Sequence, residues 1–257
     1  MNALVLAAGY ATRLRPLTDR TPKQLLPVGG RPMLDWISDK LEEIPGLEEL
    51  HVVTNARYAP AFSAWAEARG GGVMVHDDGT TSNDDRLGAI GDLRFVLGRT
   101  GLAGDHLLVM AGDNLLDASL ADYVAWWRAK GRASALAVYD VGDPELARHY
   151  GIVELGADER VVGFVEKPAE PPSTLAATAT YLFHQDHLAL VEPYLAEGNP
   201  TDQPGNFVAW LYPREPVYGY ALPGEWHDIG TPAELLEADN RLRLRAGLPV
   251  RAEYALD

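Results

Sequence analysis

The sequence predicts an α/β fold: a three-layer sandwich with a mostly parallel central sheet, helices on both faces, and antiparallel strands added late in the chain. Three observations carry this reading. Up to about residue 140, apolar runs of four to seven residues alternate with amphipathic stretches of ten or more, the pattern of strands joined by helical crossovers. After Gly142 short strand-like runs separated by Pro and Gly take over. The chain has 257 residues and no cysteine. It is long enough to bury a large core unaided, and disulfides, thiolate catalysis and Cys-ligated zinc are excluded.

The elements follow in order. Residues 3–7 read as a buried strand. A turn-rich stretch with Gly9, Pro16, Pro22, Pro27, Gly29 and Gly30 comes next. Residues 32–44 predict a helix with Pro32 in its first turn, and residues 50–54 a strand. Residues 58–69 predict a helix stopped by Gly70-Gly71-Gly72, followed by a strand over 73–76. Residues 86–97 read as a helix, with Asn83 or Asp84 available to cap it. The strand at 106–110 runs into Ala111-Gly112-Asp113. A helix over 120–130 ends at Gly131, and residues 133–139 form a strand. Trp126 and Trp127 on that helix suit a core or an interface. Strands at 151–154, 161–165, 177–183 and 216–221 make the antiparallel addition, and a helix at 232–246 closes the chain. The expected organisation is one domain, residues 1–257, with lobes at 1–141 and 142–231 and a closing helix and tail at 232–257.

Net charge is −15, which argues against nucleic acid or an anionic membrane as partner. No apolar run approaches the ~18 residues of a membrane-spanning helix, and the N-terminus lacks a basic leader, so a cytoplasmic location is expected. Residues 1–31 reverse the sign, with Arg13, Arg15, Arg20, Lys23 and Arg31 against Asp19 alone. Such a segment is either an anion site or a solvated basic loop. The loop from Ala8 and the residue Asp113 both lie at strand carboxyl ends, where open α/β sheets bind ligands. The loop Leu6-Ala7-Ala8-Gly9-Tyr10-Ala11-Thr12-Arg13 is neither a P-loop nor a GxGxxG turn. By itself it is equally a plain strand-to-loop turn. Asp113 alone could be a turn residue, Asp228 an acid before a helix, and Glu166-Lys167 an exposed pair. The histidines are scattered with no HExxH spacing, and His184 and His187 suit a polar turn.

Four motifs taken together change the weight of these readings: Gly9-Tyr10-Ala11-Thr12-Arg13 with Pro22-Lys23-Gln24-Leu25-Leu26-Pro27; Ala111-Gly112-Asp113-Asn114; Phe164-Val165-Glu166-Lys167-Pro168; and Trp226-His227-Asp228-Ile229-Gly230. In this order they resemble the sugar-1-phosphate nucleotidyltransferases, also called nucleotide-sugar pyrophosphorylases, and within them glucose-1-phosphate thymidylyltransferase-like members. The resemblance implies a Rossmann-like nucleotide-binding lobe and a sugar-binding antiparallel addition. It implies that a hexose 1-phosphate such as glucose 1-phosphate joins a nucleoside triphosphate, dTTP or UTP being favoured, with release of pyrophosphate. By the same resemblance Arg13 and Lys23 are catalytic clamps on the triphosphate. Leu6, Ala8, Gly9, Thr12, Arg13 and Gly88 bind nucleotide. Asn114, Gly151, Glu166, Lys167 and Tyr181 bind the sugar phosphate, and Asp113 and Asp228 hold Mg²⁺. Asn114 has a local alternative, since its amide can bond nearby instead. No general base is required, because the attacking phosphate is already ionised.

The sequence departs from the family in three places. Ala11 stands where the loop usually has a second glycine, and Ala179 where a glycine is common before Thr180-Tyr181. A Gln-Pro pair is missing ahead of Arg86-Leu87-Gly88-Ala89. The region from Asp77 to Ile90, where the family reads the base, could equally be a polar cap. The resemblance is compatible with a homo-oligomer, and no second activity is expected without a long C-terminal extension. Two other classes compete. A nucleotide-sugar-dependent glycosyltransferase would want Asp-x-Asp where Gly112-Asp113-Asn114 stands. A non-catalytic nucleotide-sugar-binding regulator would not need Arg13, Lys23, Asp113 and Asp228 together.

Overall fold

A computed structural model describes residues 1–256. The first strand, β1 (Asn2–Leu6), is almost wholly buried. Two two-residue strands, β2 (Pro27–Val28) and β3 (Arg31–Pro32), frame the glycine turn before α1 (Met33–Glu42). Then come β4 (Leu50–Thr54), α2 (Ala59–Ala68), β5 (Val73–Asp77), α3 (Ala89–Arg99) and β6 (Leu107–Ala111). A three-residue strand β7 (Asn114–Leu116) precedes α4 (Leu120–Ala129) and β8 (Ser134–Asp140). The later part holds α5 (Pro144–Ala147), β9 (Gly151–Leu155), β10 (Val161–Glu166) and β11 (Leu175–Phe183). It continues with α6 (Gln185–Leu188), α7 (Val191–Ala196), α8 (Pro204–Leu211), β12 (Val217–Ala221), β13 (Trp226–Asp228) and α9 (Pro232–Arg245).

Nine strands make one sheet. Its path runs β10-β9-β11-β6-β1-β4-β5, with β8 on β11 and β12 on β8. The β6-β1-β4-β5 portion is parallel, and β11 turns the direction by pairing antiparallel with β6, β8 and β9. One strand of the expected antiparallel addition differs: β12 pairs parallel with β8. The sheet runs without a break across residue 141, because β8 lies against β11 and β12 rather than beside β6.

Side-chain alternation along the strands divides the core into two layers. Ala3, Val5, Leu108 and Met110 pack with α1, α2 and α4 on one face. Leu4, Val53, Leu107 and Val109 pack with α3, α7 and α8 on the other. Trp127 is fully buried and Trp126 packs beside it on the first core. The antiparallel part carries four helices, α5 to α8, where the sequence suggested strands and turns. They are four to eight residues long, too short to show a 3.6-residue period. The helix expected from residue 86 starts at Ala89 with Gly88 as N-cap, and neither Asn83 nor Asp84 caps it. Helix α9 starts on a capping box between Thr231 and Glu234. The pair expected in a polar turn divides. His184 accepts the Asp186 N–H at the start of α6, while His187 is buried against Ser134, 2.8 Å away. Among the described residues no helix is long and apolar enough to cross a membrane.

Candidate active site

At the carboxyl end of β1 the chain turns sharply, and several remote groups fasten the loop. Asn55 donates its amide to the Ala8 carbonyl at 2.8 Å, and the Thr18 hydroxyl donates to the Ala11 carbonyl at 2.9 Å. Tyr58 in turn donates to the Thr18 carbonyl at 2.6 Å. Ala11 sits at φ +45°, the left-handed region that costs an L-residue about 1–2 kcal/mol. Ala179 sits at φ +49°, inside a register break between β11 and β8. Both alanines that replace usual glycines therefore occupy backbone that favours glycine.

The loop faces the ends of two paired short strands. In the antiparallel β7–β13 pair Asn114 lies opposite Asp228, and the Ile229 N–H donates to the Asp113 carbonyl at 3.1 Å. This pairing brings the two aspartates together from 115 positions apart in the chain. Lys23, with its side chain only 10% exposed, donates to Asp113 Oδ2 at 2.6 Å and to the Ile229 carbonyl at 2.8 Å. Burial pushes the Asp113 carboxyl up, but the Lys23 ammonium and the hydrogen bonds from Lys23 and Asn114 together hold it below its ordinary value. Asp228 is raised, first by burial and then by the charge of Asp113. Arg13 lies along Gly230, where an added Cβ would meet its guanidinium nitrogen at 2.9 Å.

Asn114 lines the same space, yet both ends of its amide have protein partners. It donates to Asp113 Oδ1 at 2.9 Å and accepts from the Trp226 indole at 2.5 Å. The local reading of Asn114 is therefore satisfied, and it braces Asp113. Across from it, Glu166 is pushed up by burial against the opposing pull of Lys167. Glu166 and the Phe164 ring pack on two glycines. A Cβ at Gly151 would meet Glu166 at 2.8 Å, and one at Gly205 would meet it at 2.6 Å. Lys167, at φ +46°, is half exposed, its Nζ 4.0 Å from Glu166. Tyr181 is buried and stacks on Phe183, and burial raises its phenol. Gly88, at φ +78°, abuts the Thr201 backbone, and a Cβ there would meet it at 2.7 Å. Packing thus accounts for this glycine directly.

These groups share one cavity of about 500 Å³. Leu6, Ala8, Gly9, Thr12, Arg13, Lys23 and Gly88 line it, together with Asp113, Asn114, Gly151, Glu166, Lys167, Tyr181 and Asp228. Every site residue named from the sequence is brought to this single space. The structure adds residues to which the sequence assigned no role, Gln24, Asp92, Gly205 and Trp226, and it brings in Tyr150, which the resemblance placed with Gly151 among the sugar contacts. Gln24 Oε1 is buried without a hydrogen-bond partner, and its place beside Lys23 in the Pro-Lys-Gln run was the available signal. Tyr150, edge-on to Trp226 at 5.0 Å, is pushed up to about 12 by burial.

The donor set bears on metal binding. No group of three or more His, Asp or Glu is arranged to hold a metal among the described residues. Two carboxylates in an open polar cavity fit a hard cation that takes its remaining ligands from phosphate and water, as Mg²⁺ does. They do not fit a zinc site built wholly from protein.

The model of the nucleotidyl transferase family matches residues 2–244, and the chain belongs to that family. Among individual proteins, it is 31% identical over 238 residues to a mannose-1-phosphate guanylyltransferase of Mycobacterium tuberculosis, covering 92% of this chain and 63% of that protein. It is 31% identical over 255 residues to a glucose-1-phosphate thymidylyltransferase of Streptomyces griseus, covering 97% and 68%. A bifunctional protein GlmU of Methanococcus maripaludis is 27% identical over 94% of this chain, which spans about half, 54%, of that protein's length. The fold matches a crystal structure from Bacillus anthracis in complex with sucrose, a provisionally assigned glucose-1-phosphate thymidylyltransferase. The TM-score is 0.80 over 95% of both chains at 23% identity.

Proposed function

We propose that the protein is a sugar-1-phosphate nucleotidyltransferase: a sugar 1-phosphate attacks the α-phosphorus of a nucleoside triphosphate, and pyrophosphate leaves. The observation that carries this reading is the meeting of Lys23, Asp113 and Asp228 from three remote segments in one cavity, with Arg13, Glu166 and Lys167 in the same lining. Near neutral pH the reactants carry roughly −4 and −2 charges. Two unit charges ~4 Å apart repel by ~4 kcal/mol at an effective dielectric of 20. The task is therefore to position and neutralise crowded anions.

Arg13 grips triphosphate oxygens with its planar fork, and Lys23 supplies a point charge close by. Lys167 holds the phosphate of the sugar, and Glu166 accepts hydrogen bonds from sugar hydroxyls. Asp113 and Asp228 would hold Mg²⁺, which when bound neutralises charge that develops on the transferring phosphates. Asn114 and Trp226 keep Asp113 in place. The attacking phosphate is ionised, so the chain needs no proton acceptor. The sugar partner is read as a hexose 1-phosphate such as glucose 1-phosphate, and the printed names of the Streptomyces and Mycobacterium relatives support that class. They divide on the base, and the dTTP or UTP favoured by the sequence lacks its Gln-Pro pair here.

The test is a matrix of ATP, CTP, GTP, UTP and dTTP against glucose, mannose and N-acetylglucosamine 1-phosphates, read as pyrophosphate release. The expected result is release from at least one combination with Mg²⁺ and none in the presence of a chelator. Silence across the matrix, or transfer of sugar from a nucleotide sugar without pyrophosphate, would overturn the reading.

A further inference from the structure

A further carboxyl group, Asp92, lines the same cavity and has no part in the reaction just described, and Asp78 stands beside it outside the lining. Asp92, one turn into α3, is 6% exposed and lines the cavity to which Leu6, Ala8 and Ala89 also contribute. Its Oδ1 is buried and receives no hydrogen bond. Behind it stands Asp78. Asp78 Oδ1 accepts from the Thr80 amide and hydroxyl, both at 2.7 Å, and Thr80 in turn lies 3.3 Å from the Tyr10 hydroxyl. Asp78 Oδ2 is also buried and unpartnered. Burial first, and then the facing Asp78, push Asp92 up to about 8. Among the described residues no cation pairs with Asp92 or Asp78. Arg86, exposed on the same side, is tied to Asp202 at 3.0 Å and to the Asn83 carbonyl at 2.8 Å.

A buried carboxyl group that faces another without a cation is stable when it keeps its proton. On Asp92 that proton sits on the oxygen turned toward Asp78. The oxygen left for the cavity then only accepts hydrogen bonds. Phosphate is repelled from such a wall, whereas a flat ring fits against Leu6, Ala8 and Ala89. This end of the cavity therefore takes the base and not the phosphates, which go to Arg13 and Lys23. The inference rests on the nucleotidyltransferase reading above. We propose that Asp92, backed by Asp78, selects a nucleobase bearing an exocyclic amino group (cytosine, adenine or guanine) over uracil and thymine.

The discrimination comes from donor geometry. An exocyclic amino group projects beyond its ring and offers two N–H bonds to a recessed acceptor. Uracil and thymine have only the ring N3–H on that edge, flanked on both sides by carbonyl oxygens. Bringing that N–H to the carboxyl oxygen brings a carbonyl oxygen toward it as well, and a site that leaves an acceptor facing an acceptor rejects the ligand strongly. This points away from the dTTP or UTP that the sequence favours.

The test is calorimetric binding of the five triphosphates, with Mg²⁺, to the full chain and to Asp92→Asn. For the wild type, the tightest of CTP, ATP and GTP is expected to bind at least tenfold tighter than UTP and dTTP. In Asp92→Asn the new amide N–H can donate to a carbonyl oxygen, so the preference should shrink at least tenfold through a gain for UTP and dTTP. Wild-type binding of UTP or dTTP as tight as that of the best amino-bearing nucleotide overturns the inference, whether or not the variant folds. So does an Asp92→Asn that folds and keeps the full preference. The two proposals fail separately. Pyrophosphate release with UTP or dTTP alone sinks base selection and keeps the transferase. Selective binding of an amino-bearing nucleotide with no release from any combination does the reverse.

Discussion

Two pairs of carboxyl groups bear on one cavity, Asp78 standing behind its lining, and they differ in their neighbours. Asp113 and Asp228 meet beside Lys23, whose ammonium helps keep Asp113 ionised while burial and Asp113 push Asp228 up to about 7. Among the described residues Asp78 and Asp92 meet with no ammonium or guanidinium beside them, and Asp92 rises to about 8. A carboxylate held ionised by a lysine keeps the charge a divalent cation needs. A pair holding a proton presents less charge and does not compete for that ion. The same side chain serves two purposes within one space, and the neighbour decides which.

Removing a charge from the first pair should have the largest effect. Asp113→Asn is expected to lower Mg²⁺-dependent pyrophosphate release by roughly 10²–10³ or more, on the scale of losing one fixed electrostatic group at a reaction centre. Full activity in that variant would remove the metal-binding role. Lys23→Met strips the cation from the largely buried Asp113 carboxylate. Breaking a buried pair costs about 3–5 kcal/mol, so urea unfolding at pH 7 should show a loss of that order, partly restored by millimolar Mg²⁺. An unchanged midpoint would mean that the first pair does not need its lysine.

The second pair makes a prediction with a definite sign. The native Asp92 carboxyl lies near 8 and its ordinary value is 3.8. Between those values the folded state holds a proton that the unfolded state has lost. Asp92 therefore contributes most at low pH, and its contribution falls as pH rises from about 4 to about 8 and then levels. Wild-type stability measured against Asp92→Asn should decline across that window by about 2 kcal/mol or more. A difference flat in pH would break the contrast between the two pairs. The smallest expected effect is Ala179→Gly. Relief at φ +49° outweighs the greater freedom of glycine in the unfolded chain, and the gain should be about 0.5 kcal/mol in thermal unfolding. A loss would show that the bulge in β11 carries no strain.

Much of the parallel half was legible because its strands and helices are long enough to show a period. Strand β4 begins and ends where the apolar run at 50–54 does. The short two-stranded sheet β7–β13 was not legible. Three-residue strands carry no alternation, and their partners lie more than a hundred residues apart. Helices α5 to α8 escaped for the same reason of length, α7 and α8 also carrying the prolines Pro193 and Pro204. The direction of β12 depends on its partner β8, which no local pattern states. In the site, the motif residues were readable because phosphate chemistry demands Arg, Lys and Asp in a recognisable order. Asp92 was readable only as an anomaly, an acid beside the buried Ile90, Leu93 and Val96 of α3.

The sequence alone determined the fold class, the basic opening loop on an acidic chain, and the residue types able to crowd phosphates and a divalent cation. Those properties follow from local periodicity and from the chemistry of individual side chains. Only the tertiary structure decided that Lys23 bridges Asp113 and the segment of Asp228, that Asn114 is held by Trp226, that Ala11 and Ala179 are left-handed, and that Asp78 faces Asp92 without a cation. Burial and charge neighbours are set by contacts between distant segments, and it is those neighbours that decide whether a carboxyl group is an ion or an acid.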